Sequence, residues 1–125
     1  MDNELFTKII EDQIQELKDT LFRKGLEYAT DDRLHNFRTA AKLEHGTMTK
    51  ALGGFMAKHT VSIYDMINSG AQYSMDQWNE KIGDHIAYLF LLKAIRVEEN
   101  DDMGCVPTPI SFEDHARAHE KLWRR

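Results

Sequence analysis

From Asn3 to Lys24 the apolar residues Leu5, Phe6, Ile9, Ile10, Ile14, Leu17 and Leu21 return at three- and four-residue steps with charges between them, the period of an amphipathic helix. Gly25 reads as its stop. A connection over 26–31 leads to a second helix, 32–45, with Leu34, Phe37, Ala40 and Ala41 on a narrow apolar face and Gly46 at its end. Thr47 is placed to cap a third helix, 48–68, with Gly70 beyond it. Its inner stripe is Leu52, Phe55 or Met56, His59, Ile63, Met66 and Ile67. Gly53 and Gly54 fall inside that helix, where each costs about 1 kcal/mol relative to alanine. They imply close helix–helix contact, or a backbone approached by a ligand or a neighbouring subunit. Ser74 with Gln77 forms a capping-box pattern that opens a fourth helix, 75–99. Its span 86–92 is nearly all apolar and is expected at the centre, touched on several sides. After Asn100 the chain turns to Asn-Asp-Asp, Gly104, Pro107 and Pro109, a loop, and Ser111 is placed to cap a short last helix to Arg124. The pattern predicts an all-α fold: a four-helix core (about 3–24, 32–45, 48–68, 75–99) with a short C-terminal helix. Residues 1–99 form the core and 100–125 belong to the same domain.

Length and charge narrow the functions. A chain of 125 residues is the size of one domain, and 42% hydrophobic residues can fill its core, which excludes wholesale disorder. Sixteen basic against 21 acidic residues give −5, which argues against a nucleic-acid partner because that affinity comes from cations on phosphates. No apolar run approaches ~18 residues, so no membrane span is expected. The start Met-Asp-Asn-Glu lacks a secretory pattern, and Cys105 is alone, so a reducing cytoplasm is the expected location.

Three segments carry possible chemistry. On the fourth helix Glu80, Asp84 and Tyr88 are spaced four apart and share a face that continues into Leu91 and Ile95. Two carboxylates one turn apart at the edge of a core can share a hard cation such as Mg²⁺, which takes oxygen ligands and retains waters. The plainer alternative is a solvated acidic edge. On the third helix Lys58, Ser62 and Asp65 also share a face, able to hold phosphate oxygens or add a metal ligand, or else forming an ordinary polar surface. His59 falls on the inner stripe, where a hydrogen-bonded core histidine is the plain reading. Between the first two helices, Lys24, Glu27, Tyr28, Asp31, Asp32, Arg33, Asn36 and Phe37 gather cations, acids, a ring and an amide within fourteen residues. Caps and packing account for some of these but leave Glu27, Tyr28, Arg33 and Asn36 without a structural task. His115 and His119 with Cys105 fall short of the four protein ligands of a structural zinc site.

The blocks Lys24-Gly-Leu-Glu27-Tyr28-Ala, Asp32-Arg33-Leu-x-Asn36-Phe37, Ala40-Ala41, Lys58-His59-x-x-Ser62-Ile63-x-Asp65-Met66 and Trp78-x-Glu80-Lys81-Ile82-x-Asp84-x-x-x-Tyr88-Leu89 keep their order along residues 24–93. In these the chain resembles a family of small phage-encoded proteins, the nucleotide-modification-associated domain type. That family is distantly similar to the all-α nucleotide pyrophosphohydrolases, MazG-like and dimeric dUTPase-like. The resemblance implies a helical bundle, a dimer or tetramer, that binds a nucleoside triphosphate through Mg²⁺ and cleaves it between the α and β phosphates. On it, Glu80 and Asp84 hold the metal, Asp65 or Glu27 completes the set, and one carboxylate, Glu27, orients the attacking water. Lys24, Arg33 and Lys58 offset phosphate charge, Tyr28 or Phe37 stacks on the base, and Asn36 and His59 complete the substrate site. The chain departs from the superfamily's acidic pairs at Lys81, three residues before Asp84, and its first helix has no Glu-x-x-Glu pair. A nucleotide binder without turnover, sensing or sequestering its ligand, and a helical protein-interaction module are therefore the alternatives.

Overall fold

The structure is a computed structural model. It describes the backbone of residues 1–27 and 31–102, and the side chains of 1–24 and 31–100. Among these residues it is all-α: α1 (Asn3–Glu27), α2 (His35–Leu43), α3 (Met48–Asn68) and α4 (Met75–Asp102), with no strand. The chain divides into two units, Met1–Ile95 and Arg96–Arg125. The first carries three helices and most of the fourth. Of the second, the end of α4 is described, with an Arg96–Glu99 ion pair at 2.8 Å. The short helix expected near 111–124, with Cys105, His115 and His119, lies outside the described residues.

Local chemistry explains the helix ends. Asp2 opens α1, its carboxylate accepting from the Leu5 amide at 2.8 Å. The helix runs through Gly25 to Glu27 instead of stopping at the glycine. A glycine weakens a helix, and by itself it does not end one. α2 starts three residues later than the pattern predicts because Asp32 competes for the backbone. Its carboxylate accepts from the Leu34 amide at 3.0 Å, and its carbonyl from the His35 amide at 3.1 Å, which hold a turn where the helix would have begun. Arg38 locks that turn with an Nε–carboxylate contact of 2.9 Å. α2 closes in a Schellman arrangement: the Gly46 amide donates to the Ala41 carbonyl at 2.9 Å and the His45 amide to Lys42 at 3.3 Å. The left-handed residue there is His45, at φ 55°, not the glycine after it. Thr47 caps α3 through the Lys50 amide (3.1 Å), and Gly70, at φ 69°, lies two residues past its end. Ser74 and Gln77 cap α4 reciprocally, Ser74 N–H to Gln77 Oε1 at 2.9 Å and Gln77 N–H to Ser74 Oγ at 3.2 Å.

The core forms where α2 and α3 meet the C-terminal half of α4. Leu34, Phe37, Ala41, Met48, Leu52 and Ile95 make one buried cluster, with Met56, Tyr88, Leu91 and Leu92 packed against it. Leu52 and Ile95 are wholly buried, each contributing about 1.5–3 kcal/mol of transfer free energy. Several expected core positions lie outside. Of the α1 side chains described, only Leu17 is buried, and Leu5, Phe6, Ile9, Ile10 and Ile14 are exposed because nothing among the described residues covers them. On α3, Met56 packs inward where Phe55 and Ile67 do not. On α4, Leu89 and Phe90 are exposed, so the apolar run 86–92 is enclosed on one side only.

Candidate functional site

A cleft of about 370 Å³ lies between α1, α2, α3 and α4, within the size range of small-ligand sites. The α4 wall is built from the i, i+3/i+4 series Glu80, Gly83, Asp84, Ala87, Tyr88 and Leu91 with Asn79 beside it. At 1.5 Å per residue this wall runs roughly 16 Å from an acidic end to an apolar one. The apolar end is fixed by packing, since Tyr88 and Leu91 lie against the core cluster that holds Phe37. Phe37 and Phe55 meet there edge to face, ring centres 5.8 Å apart at 82°. Phe37 is buried, whereas Phe55 is half exposed and presents the accessible aromatic surface.

α1 supplies the opposite wall through Gln13, Glu16, Leu17, Thr20, Leu21 and Lys24, the same three- and four-residue series on its own helix. The two walls come close at Gly83, where a Cβ would stand 3.7 Å from Gln13 Nε2. α2 adds Asn36 and, from the turn before it, Arg33. Arg33 Nη2 donates to the Leu21 carbonyl at 3.0 Å, which fixes the guanidinium against α1. The Asp32–Arg38 pair steadies the same turn. Arg38 and, after it, the Leu34 amide hold the Asp32 carboxyl below the usual carboxylate range.

The cleft thus brings together Lys24, Arg33, Asn36, Phe37, Glu80 and Asp84, residues from distant parts of the chain. Asp84 is half-buried and Glu80 exposed within it. The other expected site residues fall elsewhere. Lys58 and Asp65 are exposed on α3 and do not line the cleft. Met48, Leu52 and Met66 turn inward on that helix, which carries Asp65, one position from Met66, about 100° away. His59 does not line the cleft either. Its ring stacks 4.7 Å from Tyr88, tilted by 38°, so it backs the α4 wall from the side. The Glu27 side chain and Tyr28 lie outside the described residues. Glu16 and Phe55 are among the lining residues that the sequence does not assign to the site. Glu16 adds a third carboxylate, and its signal was its place on the α1 face that carries Leu17 and Lys24. Phe55 was assigned to the core as the alternative to Met56, and a helical wheel alone does not separate neighbours at the edge of a stripe.

Among the described residues no three acidic, histidine or cysteine side chains cluster as a complete metal site. Glu80 and Asp84 would supply two carboxylate ligands, the number Mg²⁺ uses when waters and phosphate oxygens fill its remaining positions. Three carboxylates face two cations in the cleft, Glu16, Glu80 and Asp84 against Lys24 and Arg33. A polyphosphate would be repelled by that balance on its own, and a divalent cation reverses it. The donor set fits such an ion. No protein-family model, curated protein or solved structure matches the chain.

Proposed function

We propose that this cleft binds a (deoxy)nucleoside triphosphate with Mg²⁺ and hydrolyses it between the α and β phosphates. The supporting observation is the gathering of an acid pair, two cations, an amide and an accessible aromatic ring on the walls of one cleft. Glu80 and Asp84 hold the metal, which when bound supplies positive charge to the phosphates. Lys24 and Arg33 reach the same phosphates, and Arg33 arrives pre-positioned by its bond to the Leu21 carbonyl. The base lies at the apolar end, stacked on Phe55, with Asn36 reading a base edge. Glu16 orients the attacking water in the role that the sequence resemblance assigns to Glu27. Water attacks the α phosphorus, the bond to the bridging oxygen breaks, and monophosphate and pyrophosphate leave. The resemblance to phage nucleotide-modification-associated proteins and to MazG-like and dimeric dUTPase-like enzymes supports the same reading.

A thermal-shift screen against standard and modified dNTPs and NTPs, with and without Mg²⁺, followed by pyrophosphate analysis, tests it. A ligand at ~100 times its Kd adds about 2.7 kcal/mol to stability. Asp84→Asn and Gly83→Leu, which fills the wall between the two acids, abolish the shift while leaving the helical signal. If no nucleotide shifts the folded protein, the reading is wrong. The two-ligand acid pair favours a second reading, a binder without turnover. That reading predicts the nucleotide shift with no pyrophosphate released.

A further inference from the structure

The charges of the cleft are sorted along its length. Gln13 marks the level of the acid pair on α1, since its Nε2 lies 3.7 Å from a Cβ built on Gly83, which stands between Glu80 and Asp84. Glu16 follows Gln13 by one turn. The Arg33 guanidinium is tied to the carbonyl of Leu21, and from residue 13 to residue 21 the helix advances about 12 Å. Lys24 lines the cleft beyond Leu21. Among the described residues no carboxylate pairs with Lys24, although three of them line the same cleft. The rings lie at the cationic end. Phe37 follows Arg33 by one turn of chain and belongs to the cluster against which Tyr88 and Leu91 pack, past Asp84 on α4. One end of the cleft thus holds two cations, the Asn36 amide and the half-exposed Phe55, and the other holds Glu16, Glu80 and Asp84.

We propose that the cationic end is a self-sufficient subsite for a nucleoside monophosphate, one that needs no metal, and that a cation at the acid pair serves only the phosphates beyond the first. This rests on the nucleotide reading above and adds to it the direction and the division of the ligand. A phosphate monoester carries about −1.5 to −2 charges at pH 7. Lys24 and Arg33 supply two positive charges, so the α phosphate is balanced there without an ion. The planar fork of Arg33, held in place by Leu21, suits phosphate oxygens, and the base stacks on Phe55 beside it. A pyrophosphate at the other end meets three carboxylates and is held only through a divalent cation. A single phosphate cannot bridge the interval between the two charge sets, whereas a polyphosphate chain laid along the cleft can. The two products of cleavage are therefore released on different terms. Pyrophosphate leaves with the cation, and the monophosphate remains a competitor for substrate whether or not the cation is there.

The test is isothermal titration calorimetry on the full chain, in Mg²⁺ and in EDTA. The probes are the standard ribo- and deoxyribonucleoside monophosphates and inorganic pyrophosphate. At least one monophosphate is expected to bind with a Kd that differs by less than about 3-fold between the two buffers, and pyrophosphate to bind in Mg²⁺ alone. Loss of a hydrogen bond from a charged group weakens binding by roughly 10- to 100-fold. Lys24→Gln and Arg33→Gln are each expected to weaken the monophosphate by that factor and more than they weaken pyrophosphate, and Asp84→Asn to reverse the ratio. The comparison of buffers needs only the wild type, so it decides even where a variant fails to fold. Monophosphates that bind only with Mg²⁺ overturn the proposal, as does pyrophosphate that binds equally in EDTA, or a Lys24→Gln protein that loses both probes alike. So does the absence of monophosphate binding when a triphosphate still raises Tm in Mg²⁺, a result that leaves the nucleotide reading standing. If no nucleotide of any kind binds, both fall together.

Discussion

Replacing Gly53 and Gly54 together by alanine is expected to stabilise the protein. Both residues are exposed in the interior of α3, and a Cβ built on either meets no atom within 4 Å. Neither methyl group therefore has a clash to relieve, and the effect reduces to intrinsic helix preference. Alanine exceeds glycine by about 0.8–1.0 kcal/mol in an exposed helix interior, through the lower conformational entropy of the unfolded chain. Two independent sites give about 1.5–2 kcal/mol. For a chain of this size that is a rise in Tm of roughly 6–10 °C. Thermal unfolding followed by circular dichroism, repeated over a wide range of protein concentration, measures it. An unchanged or lowered Tm at the lowest concentration would refute the reasoning, because it would mean that something within the protomer approaches α3 closely. The sequence suggested close helix–helix contact at this pair, and within the described residues no helix supplies it.

Leu52→Ala removes a wholly buried side chain from the cluster shared by α2, α3 and α4, and should cost about 2–5 kcal/mol in urea unfolding. A loss below about 1 kcal/mol would place the core elsewhere. His45→Gly should gain about 1 kcal/mol in the same assay, since His45 holds the left-handed position of the α2 terminus, which glycine occupies without strain. The Asp32–Arg38 pair predicts a pH-dependent difference between the wild type and Asp32→Asn. The folded carboxyl titrates below its ordinary value, so its contribution is complete above about pH 5 and disappears as pH falls through the folded value. For a pair this exposed the plateau should be about 0.2–1 kcal/mol. A difference that grew toward low pH would show that the sign is wrong.

The helix ends that were legible are those written in side chains that act on their own backbone. Thr47 and the Ser74–Gln77 pair fix the starts of α3 and α4 where the sequence placed them. Asp32 misled because a carboxylate near a helix start serves equally as a cap or as a turn closure, and Arg38, six residues on, favoured the turn. The stripe of α1 has the period of a core-facing surface, and periodicity reports which residues need covering while staying silent on whether this chain covers them. At the site, the face shared by Glu80, Asp84 and Tyr88 followed from spacing alone. The placement of Lys24, Arg33, Asn36 and Phe37 opposite it depended on how three helices cross, which no local pattern encodes. Lys58 and Asp65 share a face as the spacing predicted. The direction of that face was set by Met48, Leu52 and Met66 burying the other side of α3.

Arg33 reaches α1 through a main-chain oxygen, the carbonyl of Leu21. Such an anchor is indifferent to the identity of residue 21. Substitution there can reshape the apolar lining while the guanidinium stays in register. The cleft can therefore be retailored for ligands of different size with its positive charge left in place.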